Sequence, residues 1–287
     1  MSLRYDLALA FITLIWGTTF VVVKVTTERV DPMVFIAARF ALGAIALLVL
    51  FGGRALAAGP PLWWRGTILG LLLGVGFVFQ TYGLRETSPA RAAFITGLNV
   101  VIVPLMSAAL LRMAPPRRLI IAIALSAAGT VVLSAPLSPD EWSSGSTRGD
   151  LLVLVCAIFF AAHIVGISRF ATRVESGPST AVQLTVVAVV AGAWVLGSGA
   201  SLPTERDLWW PIGYMGVAAT AFVFLVQNWA QRHTTATRAA LIFTLEPVFA
   251  ALYSAVVYGE ELTPRVLIGG GTILAGILVS EIGGETG

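Results

Sequence analysis

The sequence predicts an all-α polytopic membrane protein of ten transmembrane helices, folded as two inverted five-helix repeats. Three observations carry that expectation. Of the 287 residues 57% are apolar and only 11% charged, and the mean hydropathy is +0.89. A water-soluble domain carries about 25% charged residues, so that class is excluded, and without long polar tracts intrinsic disorder is excluded too. The apolar residues lie in continuous runs approaching the ~20 residues that cross a bilayer, whereas a transmembrane β-barrel alternates over about ten. The third observation is that the chain repeats itself.

Arg, Pro and acidic residues punctuate the apolar runs and divide them into ten spans. The first, 7–26, follows Asp6; the second, 34–51, follows Asp31-Pro32 and stops short of Arg54. Spans 66–84 and 92–111 lie between Arg65 and Arg85 and between Arg91 and Arg112. Span 118–135 starts at Arg118, 150–169 runs from Asp150 to Arg169, and 178–197 opens on Pro178. Spans 209–230 and 239–258 sit between Asp207 and Arg232 and between Arg238 and Glu260, and 265–282 closes the series. Residues 1–137 thus form one five-span unit, 138–149 a polar central loop, and 150–287 a second five-span unit. The N-terminal run is too long for a signal-peptide core and has no small-residue cleavage site, so it is expected to stay as a span.

A shift of 147 residues aligns 77–134 with 224–281 without a gap, and 18 of the 58 positions are identical. The matches include Gln80/Gln227, Thr87/Thr234, Arg91/Arg238 and Ala128-Gly129 with Ala275-Gly276. A shift of 144 places Asp6 on Asp150 and Trp16-Gly17-Thr18-Thr19 on Phe160-Ala161-Ala162-His163. Five spans is an odd number, so the second unit enters the membrane upside down relative to the first. Inverted repeats of this kind hold a substrate near the midplane at the repeat interface.

Net charge is +3 and the pI about 9.4, but the 18 Lys and Arg are scattered between apolar runs. They read as topology signals, with no nucleic-acid partner implied. Ten lie on the side of both termini and seven on the other, with Arg39 inside a span, which places both termini in the cytoplasm. Cys156 is the only cysteine, and His163 and His233 are far apart, so neither a disulfide nor a metal site is expected. There is no His-Glu-x-x-His, no Gly-x-Ser-x-Gly and no pair of intramembrane aspartates, so an intramembrane enzyme is disfavoured. No Walker motif is present either, leaving proton coupling and facilitated efflux as routes.

A helical rise of 1.5 Å per residue and a core of about 30 Å put Trp16, Thr18, Thr19, Asn99, His163 and Glu246 within about two turns of the midplane. Polar groups at that depth are costly unless they face the bundle interior. Glu246, followed by Pro247, breaks the backbone ladder and offers a carboxylate for a proton or a substrate ammonium; the structural alternative is a helix cap or an Arg partner. His163 offers a hydrogen bond or a titrating imidazole, or is a satisfied packing residue. Gln80 and Gln227, with Tyr82 and Trp229 two residues on, offer an amide beside an aromatic wall in each half; the alternative for the aromatics is an interfacial belt. Arg39 could neutralise a substrate carboxylate, though a structural role on backbone carbonyls is the stronger reading. Lys24 reads as a snorkelling residue. Gly66, Gly70 and Gly74 share one helix face and permit close packing, as do the glycines of the tenth span.

The chain resembles the drug/metabolite transporter superfamily, specifically its ten-span EamA-type exporters. The residues that carry the likeness are Ile15-Trp16-Gly17-Thr18-Thr19-Phe20 with Lys24, Ala38-Arg39-Phe40, Leu245-Glu246-Pro247-Val248-Phe249-Ala250, Gly259-Glu260-Glu261-Leu262-Thr263 and Gly269 to Gly276. The first half departs from this pattern, with Asn99-Val100 for Glu246-Pro247 and Arg112-Met113-Ala114 for Gly259-Glu260-Glu261. The chain is most similar to bacterial exporters of aromatic and other neutral amino acids. That resemblance implies export from the cytoplasm by alternating access in a bacterial inner membrane, without a cofactor. It implies a small amphipathic substrate and the lipid bilayer as partners, with the chain a monomer or weak homodimer. A multidrug exporter is the main competitor within the superfamily; a lipid flippase would need a laterally open basic pocket.

Overall fold

A computed structural model describes residues 3–111, 115–134, 147–170, 173–258 and 262–281. Most of the central loop, Arg112-Met113-Ala114 and Gly259-Glu260-Glu261 lie outside the described residues. Those described form ten helical rods, eight of them long and apolar enough to cross a membrane.

The first rod is α1 (Leu3–Gly17) with α2 (Thr19–Arg29), followed by α3 (Pro32–Ala57) and α4 (Pro60–Glu86). The fourth is α5 (Pro89–Gly97) with α6 (Asn99–Leu111), and the fifth is α7 (Arg117–Ser134). The second half runs α8 (Thr147–Phe170), α9 (Ser176–Ser198), α10 (Trp209–Gly216) and α11 (Val223–Gln231) around a π-helical stretch Val217–Phe222. It ends with α12 (Ala236–Phe243), α13 (Glu246–Tyr258) and α14 (Pro264–Glu281).

Helix starts follow local chemistry. The Asp31 carboxylate accepts from the backbone N–H groups of Met33 (2.8 Å) and Val34 (3.3 Å), and Pro32 occupies the first turn, where a missing N–H is harmless. Ser88 caps α5 by accepting from Arg91 N, and Thr235, its repeat mate, caps α12 by accepting from Arg238 N. The cap is thus duplicated with the repeat.

Repeat mates also pack on each other. The second span lies along the seventh (α3 on α9), and the fifth along the tenth (α7 on α14). Gly129 and Gly276, matched by the repeat, both lie at the α7–α14 contact. A Cβ on Gly129 would stand 2.7 Å from the Gly269 carbonyl oxygen. The α4 glycines do the same against α9, since a Cβ on Gly70 would stand 2.7 Å from the Gln183 carbonyl. Close approach of backbones is what holds helices together where lipid removes the hydrophobic drive.

Two Asp–Arg pairs tie the ends of the bundle. Arg238 donates from Nε (2.9 Å) and Nη2 (2.6 Å) to the Asp6 carboxylate, joining α12 to α1. Arg91 bonds both carboxylate oxygens of Asp150, joining α5 to α8. Asp6/Asp150 and Arg91/Arg238 are repeat mates. The first rod fixes their placement. It carries Asp6 in its first turn and Lys24 toward its other end, and the Lys24 ammonium donates to the carbonyls of Leu84, Arg85 and Thr87 at the Arg91 end of the bundle. The two pairs therefore sit at opposite ends.

Candidate functional site

Three rods are broken at the same level. The chain turns at Thr18 between α1 and α2, at Leu98 between α5 and α6, and at Thr244-Leu245 between α12 and α13. Short i→i−3 bonds close each turn: Thr18 N to Ile15 O, Leu98 N to Ile95 O, and Leu245 N to Ile242 O. The half-helices that restart there open on Thr19, Asn99 and Glu246, so the partial positive charge of each new N-terminus is set beside a polar side chain. Pro247 sits in the first turn of α13, where proline is tolerated. The first-half copy breaks equally with Val100 in that place, so proline is not what the break requires.

Around these breaks lies a cavity of about 70 Å³, room for a few waters. Eight of the ten residues singled out from the sequence line it: Trp16, Thr19, Arg39, Gln80, Asn99, His163, Gln227 and Glu246. Most of the lining comes as repeat pairs across the pseudo-two-fold: Trp16 with Phe160, Thr19 with His163, Phe77 with Phe224, Gln80 with Gln227, and Asn99 with Glu246. Phe77 and Phe224 meet edge to face at 5.9 Å, and Trp16 packs on Phe224 (5.7 Å) and Phe243 (5.3 Å).

Tyr82 and Trp229 require a correction, since neither lines this cavity. Residues two apart on a helix point about 200° away from each other, so a helix that turns Gln80 or Gln227 inward turns its aromatic neighbour away. Trp229 packs instead on Tyr5 and His233 beside the Asp6–Arg238 pair. The aromatic wall is built from Trp16, Phe77, Phe160, Phe224 and Phe243. The phenylalanines were missed by the sequence reading, although Phe77/Phe224 are identical in the repeat and Phe160 stands on Trp16.

Arg39 is 1% exposed. Its Nε donates to Thr220 Oγ1 at 2.6 Å and its Nη2 to the Ala219 carbonyl at 3.3 Å, both in the π-helical stretch, which leaves carbonyls out of the normal ladder. The guanidinium lies 4.5 Å from the Phe77 ring centroid. It thus fills the structural role read from the sequence while also facing the cavity. Among the described residues it pairs with no carboxylate. A shift of 144 places Arg39 on Gln183, and Gln183 Oε1 lies 2.9 Å from His163 Nε2 while its Nε2 donates to Asn228. The repeat mate of the cavity arginine therefore holds the cavity histidine.

The Glu246 carboxylate makes no ion pair or hydrogen bond among the described residues, although it lines the same cavity. Thr96 Oγ1, Asn99 Oδ1 and Gln227 Oε1 are buried there without partners. A buried polar atom left unpaired costs about 1–3 kcal/mol, so these groups are arranged for something that enters.

The model of the EamA-like transporter family matches twice, over residues 3–135 and 147–281. The chain belongs to the EamA-like transporter family. It is 30% identical over 277 residues to an uncharacterized transporter of Archaeoglobus fulgidus, covering 96% of this chain and 85% of that one. It is 25% identical over 287 residues to the uncharacterized inner membrane transporter YedA of Escherichia coli strain K12, covering 96% and 90%. A solved crystal structure superposes with a TM-score of 0.77 at 20% identity over 98% of both chains, a likeness of fold. This EamA-like protein is accordingly a multi-pass membrane transporter, all-helical in its described residues. Its cavity sits where three broken rods and the π-helical stretch converge, the arrangement in which transporters place substrate sites.

Proposed function

We propose that this transporter exports amino acids, aromatic and neutral ones foremost, from the cytoplasm by alternating access across a bacterial inner membrane, with both termini cytoplasmic. One observation carries the reading: a guanidinium with no carboxylate partner and a carboxylate with no cationic partner line one aromatic-walled cavity. An unpaired buried charge is costly. A zwitterion offers its carboxylate to Arg39 and its ammonium to Glu246, while Gln80, Gln227 and Asn99 take the remaining donors and acceptors and the rings receive an apolar side chain. At about 70 Å³ the cavity holds a few waters, so seating an amino acid requires it to widen.

The test is flux in liposomes containing the purified chain. Labelled leucine and phenylalanine are expected to move and to compete with each other, while N-acetyl-leucine, which lacks the ammonium, competes poorly. Glu246→Gln is expected to lower leucine flux at least tenfold. Normal Glu246→Gln transport across a pH range would remove the carboxylate from the site. No flux of any amino acid, with movement of apolar drug cations instead, would transfer the chain to the multidrug class. An imposed pH gradient that leaves flux unchanged rules out proton coupling.

A further inference from the structure

A second and larger cavity, about 580 Å³, opens at the Asp6–Arg238 end of the bundle between α6, α7, α8 and α12. No residue lines both it and the central cavity. Among the described residues its polar lining is hydroxyls and two arginines, with no carboxylate. Ser107 Oγ and Thr234 Oγ1 are buried without hydrogen-bond partners. Thr237, in the same lining, is 7% exposed. Arg169 and Arg173 stand at the rim and form no ion pair among the described residues. The rest of the wall is apolar, from Pro104, Leu119 and Val165. Leu110 of the lining, Leu105 on the same helix α6 and Ile120 on α7 are exposed.

Hydroxyl donors and two arginines without an opposing acid select an anion, and the apolar wall selects one with a hydrocarbon body. A zwitterionic amino acid fits poorly, because among the described residues no carboxylate here receives its ammonium. We propose that this cavity seats the phosphate of an anionic phospholipid from the leaflet at the Asp6–Arg238 end, with Arg169 and Arg173 on the phosphate, the hydroxyls of Ser107, Thr234 and Thr237 below it, and an acyl chain along α6 and α7. Basic pockets between membrane helices bind such headgroups, each arginine contributing about 1 kcal/mol. Arg–phosphate bonds are also charge-assisted. The site is independent of what the central cavity carries.

The experiment measures lipid retention by native mass spectrometry on the full chain in a neutral detergent. The probes are phosphatidylglycerol, phosphatidylcholine and free glycerol phosphate. Phosphatidylglycerol is expected to bind best, and the double variant Arg169→Gln/Arg173→Gln to weaken it about 30-fold while leaving phosphatidylcholine unchanged. Ala108→Trp, which fills the apolar wall and keeps both arginines, is expected to weaken phosphatidylglycerol as well. Both variants are checked for an unchanged unfolding temperature in phosphatidylcholine. Unchanged phosphatidylglycerol affinity in the double variant overturns the site. Equal binding of phosphatidylcholine overturns the charge selection, and glycerol phosphate binding as tightly as the lipid overturns the lipid as its source.

Discussion

The two Asp–Arg pairs give a stability prediction whose magnitude can be worked from geometry. The side chains of Arg91 and Asp150 are 8% and 20% exposed, and those of Arg238 and Asp6 12% and 16%. Fully exposed ion pairs contribute about 0–1 kcal/mol, and removing one partner of a fully buried pair costs about 3–5 kcal/mol. Bidentate pairs at this partial burial fall between, so Asp6→Ala is expected to cost about 2–3 kcal/mol. Asp150→Ala is expected to cost about 1 kcal/mol more, because it also strands the Thr87 hydroxyl, which donates to Asp150 Oδ1 at 2.7 Å. The repeat mate of Thr87, Thr234, makes no such bond. The assay is reversible unfolding in detergent of Asp6→Ala, Arg238→Ala and the double variant, with the same cycle at Asp150 and Arg91. A coupling of about 1.5–2.5 kcal/mol is expected at each pair. Coupling below about 0.5 kcal/mol at both, or a larger loss at Asp6 than at Asp150, would refute the reasoning.

Gly129→Ala is expected to destabilise by about 1–3 kcal/mol, because its Cβ meets backbone, the Gly269 carbonyl at 2.7 Å and the Ile273 nitrogen at 2.8 Å. Gly192→Ala, within α9 and with nothing within 4 Å of the added carbon, is expected to stabilise by about 0.5–1 kcal/mol. Unfolding of the pair in one detergent checks both signs. Lys24→Met is expected to cost about 1–3 kcal/mol by leaving the carbonyls of Leu84, Arg85 and Thr87 without their ammonium donor, and to loosen amide protection around Arg85–Thr87 in hydrogen exchange.

Much of this molecule was legible in its sequence, because apolar run length and a shifted self-alignment are both consequences of membrane physics. The rod boundaries follow the Arg, Pro and acidic punctuation to within a few residues over most of the chain. The polar residues inside the apolar background led to Arg39, Gln80, Asn99, His163, Gln227 and Glu246, all of which line one cavity. What stayed hidden needs three dimensions. Helical periodicity separates Tyr82 from Gln80 and Trp229 from Gln227, a distinction that adjacency in sequence conceals. Phenylalanines facing a cavity look the same in sequence as those facing lipid. The matched Asp6/Asp150 and Arg91/Arg238 were visible as identities, yet their pairing joins rods 232 and 59 residues apart.

The unequal mates in the cavity give a final prediction. Across the pseudo-two-fold Arg39 faces a Gln183 position, Thr19 a His163 position, and Asn99 a Glu246 position. Two identical halves would build a site that cannot tell one end of a substrate from the other. Replacing one mate of a pair by an ionisable group gives the cavity a direction. Arg39 is fixed by Thr220 and the Ala219 carbonyl, so it cannot follow a carboxylate moved to the other side. The relocation variant Asn99→Glu/Glu246→Gln keeps the cavity's net charge and moves only the position of the acid. If net charge alone governs recognition, leucine transport returns to the parental level. The geometry calls for the opposite outcome: flux as low as in Glu246→Gln, with the unfolding temperature close to that single variant. Restored transport in the relocation variant would show that the position of the acid relative to Arg39 carries no information, and the zwitterion reading would lose its structural basis.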